Sequence, residues 1–190
     1  MKYTIANNVE HQLVINKSQF IVNLIQVENE DQIIQELNNI KHKYKKATHH
    51  CYGYIINNIK RFNDDNEPSG TAGIPILSVL EKQQLNNVLC VITRYFGGIK
   101  LGAGGLIRAY TKGVTEALNK TKIIPLVEQK TIIIGFNYEY QKQIDNILKN
   151  ITIVNKEFKD KVLYTIKVEI NKIDNLKQQL KNIPNIEIEV

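Results

Sequence analysis

The sequence predicts an α+β protein of two domains, and three observations carry that expectation. From Gln129 onward the chain alternates β-α-β-β-α-β, with apolar residues at every second position in strands and at helical spacing between them. The order is that of a ferredoxin-like domain. Upstream, "NVLCVITRYF" (87–96) has almost no polar face before Thr93, the pattern of a central strand covered on both sides. Between these regions Pro125 punctuates a short hinge. The expected domains are therefore 1–122 and 127–190.

Each element follows from its local chemistry. "VEHQLVINKSQFIVNLIQV" (9–27) reads as two strands turning near Asn16-Lys17. Asn29 can cap a helix that carries Ile33, Ile34, Leu37, Ile40 and Tyr44 on one side. "ATHHCYGYII" (47–56) is rich in β-formers. The stretch "NNIKRFNDDNEPSGTAG" reads as a polar loop, leading to a short helix with Pro75 in its first turn. A glycine loop follows the central strand, then a helix from about Leu106 to Asn119. In the second half, Tyr140, Ile144, Ile147 and Leu148 form one helical stripe, and Ile173, Leu176, Leu180 and Ile183 form another. Val162, Tyr164, Ile166, Val168 and Ile170 alternate against Lys161, Thr165, Lys167 and Glu169.

Composition excludes several classes. At 190 residues with 43% hydrophobic and 23% charged content, the chain is ordinary for a folded protein. No apolar run approaches the roughly 20 residues that cross a bilayer. "MKYTIANNVEHQL" offers no apolar core of a secretory signal, and Cys51 and Cys90 form no disulfide framework or CxxC motif. The expectation is a reduced, cytoplasmic protein without a membrane partner. The net charge of +6 needs a discount, because 22 Lys, 30 Ile and 22 Asn together look like AT-biased coding. Its distribution is more telling. Residues 1–122 hold 15 basic against 10 acidic side chains, and no acid occurs from Lys82 to Thr115.

Within that acid-free stretch, "RYFGGIKLGAGGLIRAY" (94–110) holds five of the ten glycines and two of the three arginines. At the start of a helix, unpaired amides and the positive dipole end favour an anion, and glycines let it come close. The arginine fork matches phosphate. The run lacks the third glycine of a dinucleotide fingerprint and has no Gly-Lys-Ser/Thr. The candidate phosphate- or nucleic-acid-binding residues are Arg94, Lys100, Gly102, Gly104, Gly105, Arg108 and Lys112. The bland alternative is a tight crossover with structural arginines.

A second candidate site combines His49 with "DDNEPSGT": Asp64, Asp65, Glu67, Ser69 and Thr71. Three carboxylates before a small-residue helix start can hold magnesium beside a phosphate; equally, they can pair with Arg94 or Arg108 in a surface turn. On a strand His49 and Cys51 share a face and His50 opposes them, so no zinc set is completed. No metal site and no cofactor is expected.

"ATHHCYGY", "DDNEPSGTAGIPIL", "VITRYFGGIKLGAGGLIRAY" and the opening "KSQFIV" (17–22) together resemble the signature segments of the IMPACT family, in its bacterial YigZ-like branch. Asn66 departs from the glycine usual there; Asn tolerates left-handed backbone. The resemblance implies an N-terminal α/β two-layer sandwich like domain IV of the translocase EF-G and parts of ribosomal proteins, with a ferredoxin-like C-terminal domain. It implies no settled enzymatic activity. Combined with the basic stretch, it leads to the expectation of an RNA- or ribosome-associated binding protein in translational control. Tyr95 and Phe96 would stack on bases where exposed. The rivals are an enzyme acting on a small phosphorylated substrate with magnesium, and a regulator that binds protein partners.

Overall fold

A computed structural model describes residues 2–189. The chain forms two compact units, Met1–Leu126 and Val127–Val190. In the first, β1 (Tyr3–Ile5) pairs antiparallel with β7 (Ile123–Pro125), which ties the start of the unit to its end. The stretch expected as a hinge is therefore partly a strand.

The body of this unit is a five-stranded antiparallel sheet in the order β2-β3-β6-β4-β5, built from β2 (Val9–Ile15), β3 (Ser18–Gln26), β4 (His49–Ile56), β5 (Ile59–Asn63) and β6 (Val88–Tyr95). Two-residue turns close both hairpins. Asn16 and Lys17 have φ of 45° and 61°, Asn57 and Asn58 of 47° and 70°, the left-handed conformations that match strand twist. Strand β5 lies in the stretch read as loop. All five of its side chains are exposed on a sheet edge, so no apolar alternation announces it.

Strand β6 is buried along seven of its eight residues because both faces are covered. Cys90 and Ile92 point toward α2 (Gly73–Lys82) and α3 (Gly102–Leu118), packing with Ile76, Leu80, Tyr110 and Val114. Leu89 and Val91 point the other way, toward Ile33 and Ile40 of α1 (Glu30–Lys43). Helix α1 thus adds a layer beyond the sandwich of sheet, α2 and α3. Its N-cap is Asn29, whose side chain accepts from the Gln32 amide.

The second unit runs β8 (Gln129–Phe136), α4 (Gln141–Ile147), β9 (Thr152–Phe158), β10 (Val162–Glu169), α5 (Ile173–Leu180) and β11 (Glu187–Glu189). The strand order β11-β8-β10-β9, all antiparallel, is the ferredoxin-like arrangement. Its core joins Ile132, Ile134, Tyr164 and Ile166 to Ile144, Leu176 and Leu180. Phe136 meets Tyr164 edge to face at 5.0 Å.

Candidate functional site

Sheet register sets Phe20, Arg94 and His49 side by side across β3, β6 and β4. Over this row folds the loop from Asp64 to Ala72. Asp65 and Asn66 take left-handed φ of 42° and 67°, so Asn66 does keep the turn. Asp64 fixes the loop to the start of α2: Oδ1 accepts from the amides of Ala72 and Gly73 at 3.0 and 2.8 Å, and Oδ2 accepts from Gly70 at 2.9 Å. These bonds satisfy helix-start amides that lack an intrahelical partner.

The turn carries Glu67 inward, where its Oε1 accepts from Arg94 Nη1 at 2.6 Å and from the Tyr110 hydroxyl at 2.8 Å. Arg94 is 4% exposed and Glu67 8%. Arg94 Nη2 donates to Ser18 Oγ at 3.2 Å, and the same oxygen accepts from the Gly97 amide at 3.1 Å. The guanidinium lies 5.4 Å from the Phe20 ring centroid and 5.5 Å from that of Phe96. The Cys51 thiol donates to the Asp64 carbonyl at 3.0 Å and lies 3.3 Å from the Tyr110 hydroxyl. Burial pushes Cys51 up to about 12 and raises Tyr110 as well, so both stay protonated.

His49 stands at the margin of this cluster. Its Nδ1 is 2.8 Å from the Asp65 carbonyl. A carbonyl only accepts, so Nδ1 carries the hydrogen. Nε2 faces Glu67 Oε2 at 3.9 Å. On the opposite face, the His50 amide donates to the Asp65 carboxylate (2.6 Å), and the His50 ring meets Thr93 Oγ1 at 3.1 Å. Burial lowers the His50 pKa.

These contacts correct several expectations. Arg94 belongs to the interior, held by Glu67, and does not reach a surface phosphate. Asp64 and Asp65 are engaged by backbone amides. Among the described residues no three His, Cys, Asp or Glu side chains are grouped to hold a metal. The Thr71 hydroxyl is buried and donates to the Pro68 carbonyl at 2.6 Å, while Ser69 is exposed. Of the three acids only Glu67 pairs with an arginine, Arg94, and it does so in the interior, while Asp64 and Asp65 tie the loop to backbone amides.

The other predicted residues lie on the surface. Lys100, Gly102, Gly104, Arg108 and Lys112 are exposed, and Gly105 is half-buried. Helix α3 begins at Gly102, earlier than expected, so three glycines occupy its first turn. No side chain caps it. Leu101, Gly105, Arg108, Ala109 and Lys112 line a groove of about 290 Å³ with Ile15 and Asn16 from the β2–β3 turn. Lys112 also lies 3.7 Å from Glu116. The turn's contribution was not readable locally, because only the fold brings Lys17 against Gly97. A Cβ on Gly97 would fall 2.0 Å from the Lys17 carbonyl carbon. Phe96 is exposed and Tyr95 half-buried.

The model of the Impact N-terminal domain matches residues 16–118. Over 158 residues the chain is 42% identical to the IMPACT family member YvyE of Bacillus subtilis, covering 82% of this chain and 73% of that protein. It is 35% identical over 111 residues to the IMPACT family member YigZ of Escherichia coli, spanning 56% of this chain and 54% of that protein. A solved structure described only as a hypothetical protein has a TM-score of 0.73 at 25% identity, covering 98% of this chain and 95% of that one.

Proposed function

The chain belongs to the IMPACT family, and from that premise we propose that it is a cytoplasmic RNA- or ribosome-associated binding protein acting in translational control. The observation that carries the reading is the uncapped, glycine-built start of α3 beside Lys100, Arg108 and Lys112. Exposed amides at a helix N-terminus and three cations with no acid between Lys82 and Thr115 favour a polyanion. Lys17 on the adjoining turn extends the same surface. The engagement of the Asp64, Asp65 and Glu67 carboxylates by amides and Arg94 supports RNA over a magnesium-bound phosphorylated metabolite as the ligand. Among the described residues no helix is long and apolar enough to cross a membrane.

The test is fluorescence-polarisation binding of structured RNA, single-stranded RNA and duplex DNA across a salt series. The native protein is compared with a Lys100→Ala, Arg108→Ala, Lys112→Ala variant. Each lost phosphate contact lowers the log–log salt slope by about 0.7 to 0.9, so the triple variant loses about two units. Equal affinity and slope for the two proteins would remove this surface from the proposal.

A further inference from the structure

Glu67 holds one carboxylate oxygen against Arg94 and Tyr110; the other, Oε2, faces the bare Nε2 of His49. The Asp65 carbonyl fixes the hydrogen on Nδ1, so in neutral His49 both facing atoms are acceptors. Their separation of 3.9 Å is too long for a direct hydrogen bond. The same separation is compatible with one donor atom bridging the two at about 2.8 Å from each. One hydrogen cannot serve both acceptors; a group with two hydrogens on one atom can. The carboxylate is 3% exposed and the imidazole 15%, so the pair looks outward on the His49 side.

An aromatic surface lies one residue away from the pair, across Arg94. Phe96 is 46% exposed and its ring lies over the Arg94 guanidinium that binds Glu67. The Phe96 amide is hydrogen-bonded to Thr48 Oγ1, one residue before His49. An exposed ring linked through Arg94 to a two-acceptor pair suits a nucleobase carrying an exocyclic amino group. Carboxylates accept from the cytosine amine, and unpaired bases stack on exposed aromatic rings. Uracil presents a carbonyl oxygen at the corresponding position, and that oxygen would oppose both acceptors.

We infer that Glu67 and His49 form a base-reading subsite for the exocyclic amino group of an unpaired nucleobase, with Phe96 as its stacking surface. The inference rests on the RNA reading for a strand as ligand, while a free nucleotide would present the same chemistry. Lys100, Arg108 and Lys112 supply affinity without discrimination, and the Glu67–His49 pair supplies the discrimination.

The experiment compares cytidine-only and uridine-only single strands of equal length by fluorescence polarisation. In parallel, cytidine and uridine 5′-monophosphates are titrated while the His49 imidazole signals are followed by NMR. Cytidine strands should bind about tenfold tighter, the share of one hydrogen bond to a charged acceptor. His49→Ala should erase that ratio. Phe96→Ala should weaken both strands alike, and the His49 signals of the native protein should move with the cytidine nucleotide alone. Equal binding of both strands with unmoved His49 signals overturns the subsite and leaves the RNA reading standing. If no strand binds but the cytidine nucleotide shifts His49, the subsite serves a free nucleotide and the RNA reading falls. If neither responds, both fall.

Discussion

Arg94 Nη1 lies 2.6 Å from Glu67 Oε1, and side-chain exposure is 5% and 3%. The pair joins the central strand to the loop that starts α2, with Tyr110 of α3 on the same oxygen. A buried ion pair is weak evidence of net stability, yet removing one partner strands the other charge. Arg94→Ala and Glu67→Ala should each destabilise the first unit by about 3 to 5 kcal/mol. The double change Arg94→Ala, Glu67→Ala should cost much less than the two single losses together. Urea unfolding of the three variants measures the difference, and simple additivity would show that the pair is not coupled.

Asp64 has a narrower task. Its carboxylate accepts from the Gly70 amide of the loop and from the Ala72 and Gly73 amides at the start of α2. Replacing a capping carboxylate costs about 1 kcal/mol, and more when several amides lose it. Asp64→Ala should therefore lower stability by about 2 kcal/mol, with Asp64→Asn retaining part of that. Chemical denaturation reads the effect, and magnesium should not change it, because the oxygens already hold amides.

The extent to which this architecture could be read from sequence follows the range of each interaction. In the second unit Ile132, Ile134, Tyr164 and Ile166 advertise their face through strict alternation, so strands and helices were legible. Strand β6 was legible because both faces demand apolar side chains. The exposed β5 was not, and neither was the β1–β7 pair, whose partners lie at opposite ends of the unit. The site divides in the same way. Lys100, Arg108 and Lys112 are local neighbours of the glycines and were legible as exposed cations, whereas the burial of Arg94 was not. Whether Glu67 meets a metal or an arginine depends on bringing Ser18, Glu67, Arg94 and Tyr110 together from four elements and loops, which no local pattern records.

The glycines of residues 97–105 should separate by position. Gly97→Ala places a carbon 2.0 Å from the Lys17 carbonyl carbon and should cost about 3 kcal/mol through forced backbone movement. Gly98 has open space but a φ of 82°, so alanine there should cost about 1 to 2 kcal/mol from backbone strain alone. Gly104 meets only the Arg108 guanidinium at 3.4 Å and sits in a helix. Gly104→Ala should add up to about 1 kcal/mol and, on the proposed phosphate-binding role of this helix start, weaken RNA binding by placing a methyl among the exposed glycines. Thermal melts beside binding curves check both directions; a loss of stability at Gly104 would contradict the assignment.

The buried thiol gives a prediction on the pH axis. Desolvation, with smaller contributions from Glu67, Asp65 and Asp64, outweighs the Tyr110 hydrogen bond and raises Cys51 from 9.0 to about 12. The unfolded chain releases this proton near pH 9 while the native state keeps it. The native state then binds more protons, so stability falls as pH rises. The contribution is fully present below pH 9 and lost progressively toward pH 12. Raised Tyr110 acts in the same direction above its ordinary value of 10.0. Cys90, buried with no charged partner, is shifted upward too. At pH 8, therefore, neither cysteine should react with iodoacetamide until the protein unfolds, and the denaturation midpoint should drop between pH 9 and 11. Serine at position 51 keeps a hydroxyl for the Asp64 carbonyl and titrates far higher, so Cys51→Ser should flatten part of that fall. Rapid labelling of Cys51 in the native state would place the thiolate, and the space around it, within reach of solvent.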